Sequence, residues 1–353
     1  MNTESIEASF LSIFALISFF IFLLVSKYSH RIKGGALLDK DFSKPQAFHD
    51  IPVTRSGGIA AIISLSIFFF IYFLLYAEVL YNYIFISCSV FIIGFLDDLR
   101  INIKPLSRLI IMTLLLFSSI YILPIKILNL DIPILSTLMS SHMFSSMFVL
   151  LCFLFVINGA NLIDGFNGLL TINLIIINII LAYININNEN LEFSILIISQ
   201  IIILLSFLLF NFPRAKIFLG DSGAYTMGAL AGLNAIITNN LNSNISSFFF
   251  CTLLFYLFFE VFFSFVRKFL QKKSPIYPDN KHLHMLSYYK ISNRYGKNKG
   301  NYLNSIIINL FYLILIIPGL YLMYDPQLSR YWFFFLLLIY LIIYSRLYRF
   351  TKN

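Results

Sequence analysis

The long apolar runs of this sequence constrain its fold more than any other feature. A backbone inside a lipid bilayer must satisfy its own hydrogen bonds, so each run of spanning length is expected to be a helix. We therefore predict an all-α, polytopic integral membrane protein with about ten or eleven transmembrane helices, forming a single domain over residues 1–353. The runs lie at about 8–26, 58–76, 79–96, 108–127, 143–158, 169–186, 192–211, 222–238, 246–266, 302–323 and 331–348, and the one sizeable loop is at about 267–301.

Composition supports this assignment. Of the 353 residues, 59% are hydrophobic and only 12% are charged, which excludes a soluble domain of this size. The first run follows MNTESIE, which lacks the basic segment of a signal peptide, so we expect this helix to be retained. Cys88, Cys152 and Cys251 fall inside apolar runs without CxxC spacing. They are expected to be buried apolar side chains rather than disulfides or zinc ligands.

The basic residues predict how the chain is oriented. Of the 25 Lys and Arg residues, all except Lys126 and Arg330 lie in alternate loops or at the C-terminus. Because cytoplasmic loops are rich in Lys and Arg, the N-terminus is predicted outside and the C-terminus inside a bacterial cytoplasmic (inner) membrane. The formal net charge of +9 is then explained by membrane orientation and anionic lipids, and no nucleic acid partner is expected.

A polar segment, NGANLIDGFNGLL at Asn158–Leu170, interrupts the apolar pattern. Asn158, Asn161, Asp164 and Asn167 recur every third residue, so in a helix they would lie along one side. Polar groups placed against hydrocarbon are costly unless they bind something, which indicates a functional site. The alternative is a helix end followed by a turn at the membrane surface.

Three aspartates stand at the predicted ends of other apolar runs. Asp97 and Asp98 are adjacent in GFLDDLR, so they should titrate as a pair suited to acid–base or metal-assisted chemistry. Asp221 lies in FLGDSG at a predicted helix N-terminus, where anions are favoured. The alternatives are a solvated helix end for the DD pair and an ordinary N-cap for GDSG.

These side chains form an all-oxygen set, without the Cys or multiple His residues that zinc prefers. Magnesium, which keeps waters and bridges substrate phosphates, is the metal we predict, with manganese as the alternative. The active site is expected to face the cytosol, because the polar motifs lie at the predicted cytoplasmic ends. The set comprises Asp97, Asp98, Asp164, Asp221, Asn158 and Asn161.

A further motif, PDNKHLHM, lies in the predicted loop. Lys281, His282 and His284 stand there among many cations, which suits binding of a diphosphate or a sugar phosphate. The alternative is solvated surface, the usual state of a charged run. Glu260, an isolated acid inside an apolar run, is expected to hydrogen-bond to a neighbouring helix rather than take part in chemistry.

In order and spacing, DDLR, NGANLIDGFNGL, NFPRAKIFLGDSG and PDNKHLHM resemble the motifs of the polyprenyl-phosphate N-acetylhexosamine-1-phosphate transferase family. The stretches LLDK (Leu37–Lys40) and HDIPVTRSGG (His49–Gly58) also fit this family. The resemblance implies a membrane enzyme that transfers a sugar 1-phosphate from a UDP-N-acetylhexosamine to undecaprenyl phosphate, giving a lipid diphosphate sugar and UMP. Membrane lipids and a second copy of the chain are further candidate partners.

The resemblance also implies roles for the polar motifs. Asp97 and Asp98 would be the acidic pair near the lipid phosphate, and Asp221, helped by Asn161, would be the magnesium ligand. The remaining residues would bind the nucleotide or close on the diphosphate and sugar, with His284 grouped among the catalytic residues. They are Asn158, Asp164, Asn167, Asn211, Lys281, His282 and His284.

The chain departs from the usual family pattern in three places. Met285 replaces a common histidine, Asn167 a common aspartate and Ala224 a common serine. VTRSGG, with Arg55, is more similar to the branch that initiates surface polysaccharides such as O-antigen than to phospho-N-acetylmuramoyl-pentapeptide transferases. Three alternatives remain. They are this second branch, a transporter of anionic lipids or sugar phosphates, and a scaffold without catalysis.

Overall fold

The computed structural model describes residues 3–31, 37–39, 52–101, 103–274 and 279–352 of the chain. Five residues of the predicted motifs lie outside these ranges, namely Lys40, His49, Asp50, Ile51 and Pro278. The helices and strands, in chain order, are α1 (Thr3–Tyr28), β1 (Leu38–Asp39), β2 (Val53–Thr54), α2 (Gly57–Tyr76), α3 (Tyr81–Asp98), α4 (Pro105–Ile122), α5 (Pro133–Leu138), α6 (His142–Ile163), α7 (Leu169–Asn187), α8 (Leu191–Asn211), α9 (Gly220–Leu241), α10 (Ser247–Leu253), α11 (Phe255–Leu270), α12 (Leu283–Tyr295), α13 (Lys297–Leu322) and α14 (Pro326–Lys352).

The prediction of an all-α polytopic membrane protein is confirmed. Among the described residues, nine helices are long and apolar enough to cross a membrane, and the bent pair α10–α11 makes a tenth if it counts as one crossing. Large apolar side chains such as Phe70, Leu114 and Ile122 are more than 60% exposed on the outside of the bundle. In water such surfaces would associate, whereas lipid chains can cover them.

Helix α9 lies at the centre of the bundle and packs against α2, α3, α6 and α7. Its sequence, GDSGAYTMGALAGLNAIITNNL, is rich in small residues, which allow close approach of neighbouring helices. Helix α3 approaches α9 closely, since a Cβ added at Gly94 would lie 2.5 Å from the Cα of Ser222. This packing holds the C-terminal end of α3 against the N-terminal end of α9.

Several features of the described chain were not expected. The apolar run at 246–266 is broken between α10 and α11, whose axes differ by 76°. The predicted loop at 267–301 contains α12, so helices occupy most of its length. The expected burial of the cysteines is wrong for Cys88 and Cys251, which are exposed. In a membrane protein an apolar side chain can face lipid as well as the core.

The two ends of the bundle carry different residues. At one end, the carbonyl of Lys126 accepts a hydrogen bond from Asn240 (2.7 Å), and Arg330 donates to the carbonyl of Asp131 (3.1 Å). Asp131 also accepts a hydrogen bond from the hydroxyl of Ser246, the residue that caps α10. Lys126 and Arg330 are the two basic residues that the sequence separates from all others. The polar motifs lie at the opposite end.

A short ribbon fixes the segment before α2. Strands β1 and β2 pair antiparallel, and Thr54 forms a parallel bridge to Ile217, just before α9. The Gly57 N–H also donates to the carbonyl of Phe218 (2.9 Å). Arg55, which follows β2, is therefore held beside the N-terminus of α9.

Candidate functional site

Three aspartates meet where α3 ends and α9 begins, and we call Asp97, Asp98 and Asp221 the carboxylate cluster. Asp98 is 1% exposed. Its Oδ1 accepts the Asp221 N–H (2.9 Å), and its Oδ2 accepts the N–H (3.0 Å) and the hydroxyl (2.6 Å) of Ser222. These N–H groups begin α9 and have no partner within the helix, so Asp98 caps a helix other than its own.

The turn into α9 requires glycine. Gly220 has φ +77°, and a Cβ at this position would lie 2.6 Å from Oδ2 of Asp98. A larger residue would be strained and would displace the capping carboxylate. The prediction that Asp221 lies at a helix N-terminus is confirmed, since it is the second residue of α9.

A guanidinium lies between the other two carboxylates. Nη1 of Arg108 is 2.7 Å from Oδ2 of Asp97 and 3.1 Å from Oδ2 of Asp221. Arg108 belongs to α4, an otherwise apolar helix. Arg108 entered only the prediction of membrane orientation, although a cation in the first turn of an apolar helix is itself a signal of function.

A second arginine approaches the cluster from β2. Arg55 donates to Oδ2 of Asp39 through Nε (3.0 Å) and Nη2 (2.7 Å). Its Nη1 lies 3.9 Å from Oδ1 of Asp221 and 4.0 Å from Oδ1 of Asp98. Burial alone would lower the pKa of Arg55, but the charges of Asp221 and Asp39 outweigh it and raise the pKa. Arg55 is therefore a fixed cation, oriented by Asp39.

The cluster fits a divalent cation. Oδ2 of Asp97 and Oδ2 of Asp221 both contact Nη1 of Arg108. The space between these two carboxylates therefore favours a positive charge. Asn161 donates to the hydroxyl of Tyr225 (3.2 Å), and the Tyr225 ring faces Arg108. In the described part of the chain no group of three or more His, Cys, Asp and Glu side chains is arranged to hold a metal ion. Magnesium does not require one, because one or two carboxylates with waters and substrate phosphates suffice.

Two asparagines that were predicted to contact the nucleotide, Asn167 and Asn211, form hydrogen bonds to the backbone. We call Asp164–Gly168, which follows α6, the DGFNG loop. Asn211 accepts the Gly168 N–H (2.7 Å) and donates to the carbonyl of Ile217 (3.0 Å). Asn167 donates to the carbonyl of Pro213 (3.0 Å). Both amides thus connect the DGFNG loop to the segment between α8 and α9.

The other polar residues of this segment have different surroundings. Asp164 is half-buried. Burial raises the pKa of Asp164, and the charges of Asp221 and Asp98 raise it further, which places Asp164 within electrostatic range of the carboxylate cluster. Asn158 donates to the carbonyl of Leu154 (2.7 Å), one turn earlier in α6.

The two histidines of the predicted loop are buried. His282 is 2% exposed and His284 is fully buried, so the alternative of solvated surface is wrong for both. Nδ1 of His284 lies 3.3 Å from the hydroxyl of Tyr256. Burial lowers the pKa of His284 to about 3, so its ring is neutral at physiological pH. We call Lys281–His284 the His segment.

Amides of α13 tie the His segment to the DGFNG loop. Asn301 accepts the Asn167 N–H (2.9 Å), and Asn304 donates to the carbonyl of His284 (2.9 Å). The Phe166 ring meets the His284 ring edge-on at 5.8 Å. These amides were not among the predicted site residues, although Asn301, Ser305 and Asn309 recur every fourth residue at the start of an apolar run.

The four motifs therefore come together at one end of the bundle, in two groups. The carboxylate cluster and the two arginines form one group, and the His segment forms the other. The DGFNG loop lies between them. The catalytic and binding roles given to these residues remain predictions.

Comparison with known proteins gives a consistent result. The family model described as glycosyl transferase family 4 matches residues 79–239. The chain is 28% identical over 278 residues to the undecaprenyl-phosphate alpha-N-acetylglucosaminyl 1-phosphate transferase of Thermotoga maritima, covering 76% of this chain and 78% of that protein. It is 30% identical over 241 residues to the phospho-N-acetylmuramoyl-pentapeptide-transferase of Dictyoglomus turgidum, covering 63% and 73%. For the enzyme of that name from Streptococcus thermophilus the identity is 29% over 227 residues, covering 60% and 66%.

Proposed function

The chain belongs to glycosyl transferase family 4, and we propose that it transfers an N-acetylhexosamine 1-phosphate from a UDP-sugar to undecaprenyl phosphate. The relative from Thermotoga maritima has a matching activity in its name. One observation carries the proposal. Carboxylates and arginines from separate segments of the chain meet at one end of a membrane bundle, where a lipid phosphate and a soluble nucleotide can both arrive.

The products define the bonds involved. An oxygen of the lipid phosphate bonds to the β-phosphorus of the UDP-sugar, and the bond from this phosphorus to the oxygen bridging the two phosphates breaks. UMP leaves with that oxygen and its electron pair. Both reactants are anionic, so the protein must neutralise charge and align the attacking and leaving oxygens.

The residues of the site can do this. Arg55 and Arg108 present fixed positive charge to phosphate oxygens, and a guanidinium can bind two such oxygens at once. Asp98 holds the N-terminus of α9 and so fixes the position of Asp221. Asp97 and Asp221, with Asn161, are the residues that would hold Mg²⁺, which supplies charge neutralisation on the diphosphate when bound.

The location is part of the proposal. The end of the bundle that carries both groups also carries most of the Lys and Arg residues that the structure describes, and the positive-inside rule assigns this end to the cytoplasm. We therefore place the protein in the bacterial cytoplasmic membrane with its site open to the cytosol. The initiation of a surface polysaccharide follows as its cellular role.

A second candidate function is transfer of phospho-N-acetylmuramoyl-pentapeptide, which the two other relatives support by their names. A donor panel separates the two. Purified protein receives Mg²⁺, undecaprenyl phosphate and radiolabelled UDP-N-acetylglucosamine, UDP-N-acetylgalactosamine or UDP-N-acetylmuramoyl-pentapeptide. Label extracted into the lipid phase identifies the donor, and Asp221→Asn serves as the inactive control.

Each result has a clear meaning. Lipid-phase label from a UDP-N-acetylhexosamine supports the proposal, and label from the pentapeptide donor alone supports the second candidate. If no donor gives lipid product while the protein carries sugar phosphate across a vesicle membrane, the transporter alternative replaces both.

A further inference from the structure

A buried polar network beside the His segment has no role in the reaction described above. Glu260, on α11, is 1% exposed. Its Oε1 accepts the Leu283 N–H (2.9 Å) and lies 3.1 Å from Nδ1 of His282. Its Oε2 accepts the hydroxyl of Tyr340 (2.6 Å). The expected hydrogen bond of Glu260 to a neighbouring helix is thus confirmed, and the helix is α14.

A second tyrosine of α14 contacts the same segment. Tyr344 donates its hydroxyl to the carbonyl of Lys281 (3.0 Å). Nζ of Lys281 lies 5.5 Å from the ring centroid of Tyr348. The tyrosines at 340, 344 and 348 are four residues apart, so they share one face of α14, and successive rings are 6.2 and 5.9 Å apart.

The other side of His282 is also fixed. Its Nε2 lies 3.3 Å from Oδ1 of Asp279, and Asp279 forms an ion pair with Arg267 (3.0 Å). Both ring nitrogens of His282 therefore face carboxylates. The His282 ring is parallel to the His284 ring, at 5.5 Å between centroids. The orientation of the His282 imidazole is therefore set by groups that lie outside the DGFNG loop and the carboxylate cluster.

We propose that α14 is a positioning element for the His segment, acting through the hydrogen bond from Tyr340 to Glu260. This inference rests on the proposed function and on the role that the family resemblance implies for the His segment, which is to close on the diphosphate and sugar. A buried carboxylate with fewer donors is less stable, and the loop that it anchors then opens more often. Tyr340 is a positioning residue, since it touches Glu260 and not the substrate.

The hydroxyl groups distinguish this role from packing. The rings of Tyr340 and Tyr344 pack against Phe259 and Phe263 and would do so equally well as phenylalanines. Their hydroxyls instead reach Glu260 and the Lys281 carbonyl. Tyr340→Phe therefore removes the proposed function of the side chain and keeps its packing.

The test measures how often the His segment opens. Diethyl pyrocarbonate modifies exposed imidazoles, and mass spectrometry gives the rate at each histidine. In Tyr340→Phe, modification of His282 should become about tenfold faster, since hydrogen bonds to charged groups are among the stronger ones. His30, which is exposed, should react at the same rate in every variant. The matched control is Tyr331→Phe on the same helix, where the hydroxyl is exposed and accepts only from Gln327.

Kinetics and a double variant complete the design. Tyr340→Phe should lower kcat more than it changes KM for the UDP-sugar, because positioning matters most in the transition state. Glu260→Leu combined with Tyr340→Phe should label no faster than Glu260→Leu alone, because both changes break the same contact.

Wild-type labelling of His282 in Tyr340→Phe would overturn the proposal, and so would equal acceleration in Tyr331→Phe. The labelling result does not depend on turnover. If the wild-type protein transfers no sugar phosphate, the proposed function fails while the labelling still decides whether α14 holds the His segment.

Discussion

The two adjacent aspartates at the end of α3 should behave differently when each is replaced by asparagine. Asp98 accepts three hydrogen bonds from Asp221 and Ser222, and at least one would face an amide NH₂ group in Asp98→Asn. A lost bond to a charged acceptor, together with a buried N–H left without a partner, should cost about 2–4 kcal/mol of stability. Asp97 is 26% exposed in its side chain and pairs with Arg108, so Asp97→Asn should cost less than about 1 kcal/mol.

Thermal unfolding in detergent, with the same samples assayed for sugar transfer, measures both effects. Asp98→Asn should unfold several degrees below the wild type and lose activity, because Asp221 is no longer fixed. Asp97→Asn should unfold near the wild-type temperature and still lose activity, because its carboxylate is needed in the site. If Asp98→Asn keeps the wild-type unfolding temperature, or Asp97→Asn loses as much, the capping argument is wrong.

Three further predictions follow from the same geometry. Asp221→Asn should weaken Mn²⁺ binding at least tenfold relative to the wild type, since one of the two carboxylates that would hold the metal is lost. Electron paramagnetic resonance measures this binding, and unchanged affinity would show that the metal binds at another site. Arg55→Gln should lower kcat/KM for the UDP-sugar about tenfold or more, whereas Arg346→Gln, an exposed arginine on α14, should have no effect; equal effects would reduce Arg55 to general surface charge. Burial lowers the pKa of His284 to about 3, so an unfolded chain takes up a proton near pH 6.5 that the folded chain does not. Stability should therefore fall as pH falls from about 6.5 towards 3, and His284→Gln should show a shallower fall in unfolding temperature; identical curves would contradict the neutral assignment.

The sequence was sufficient for the architecture because lipid imposes a simple rule. An apolar run of spanning length must be helical, and each of the eleven predicted runs corresponds to a helix or, at α10–α11, to a broken one. The break was not predictable, since FFFCTLLFYLFF is uniformly apolar and carries no turn residue. The helix α12 was missed because a short polar helix lacks the apolar signal that identified the others.

The sequence predicted which residues form the site but not which of them contact one another. Glycines, aspartates and asparagines at the ends of apolar runs identified the residues that meet at one end of the bundle. Nothing local indicates that Asp98 caps α9, since its partners are more than 100 residues away along the chain. Arg108 was predicted only to mark the cytoplasmic side, because its partners Asp97 and Asp221 lie on α3 and α9, which are distant from one another along the chain. Such pairings depend on tertiary packing, which spacing along the chain does not contain.

The central claim is that this membrane bundle breaks the diphosphate of a UDP-sugar and leaves the sugar phosphate on a lipid phosphate. A doubly labelled donor tests it most directly, with ³²P in the β-phosphate and tritium in the uridine. With undecaprenyl phosphate present, all transferred ³²P should enter the lipid phase while an equal amount of tritium is released as UMP, and neither should move without the acceptor. Tritium in the lipid phase, or UMP released without the acceptor, would contradict the account.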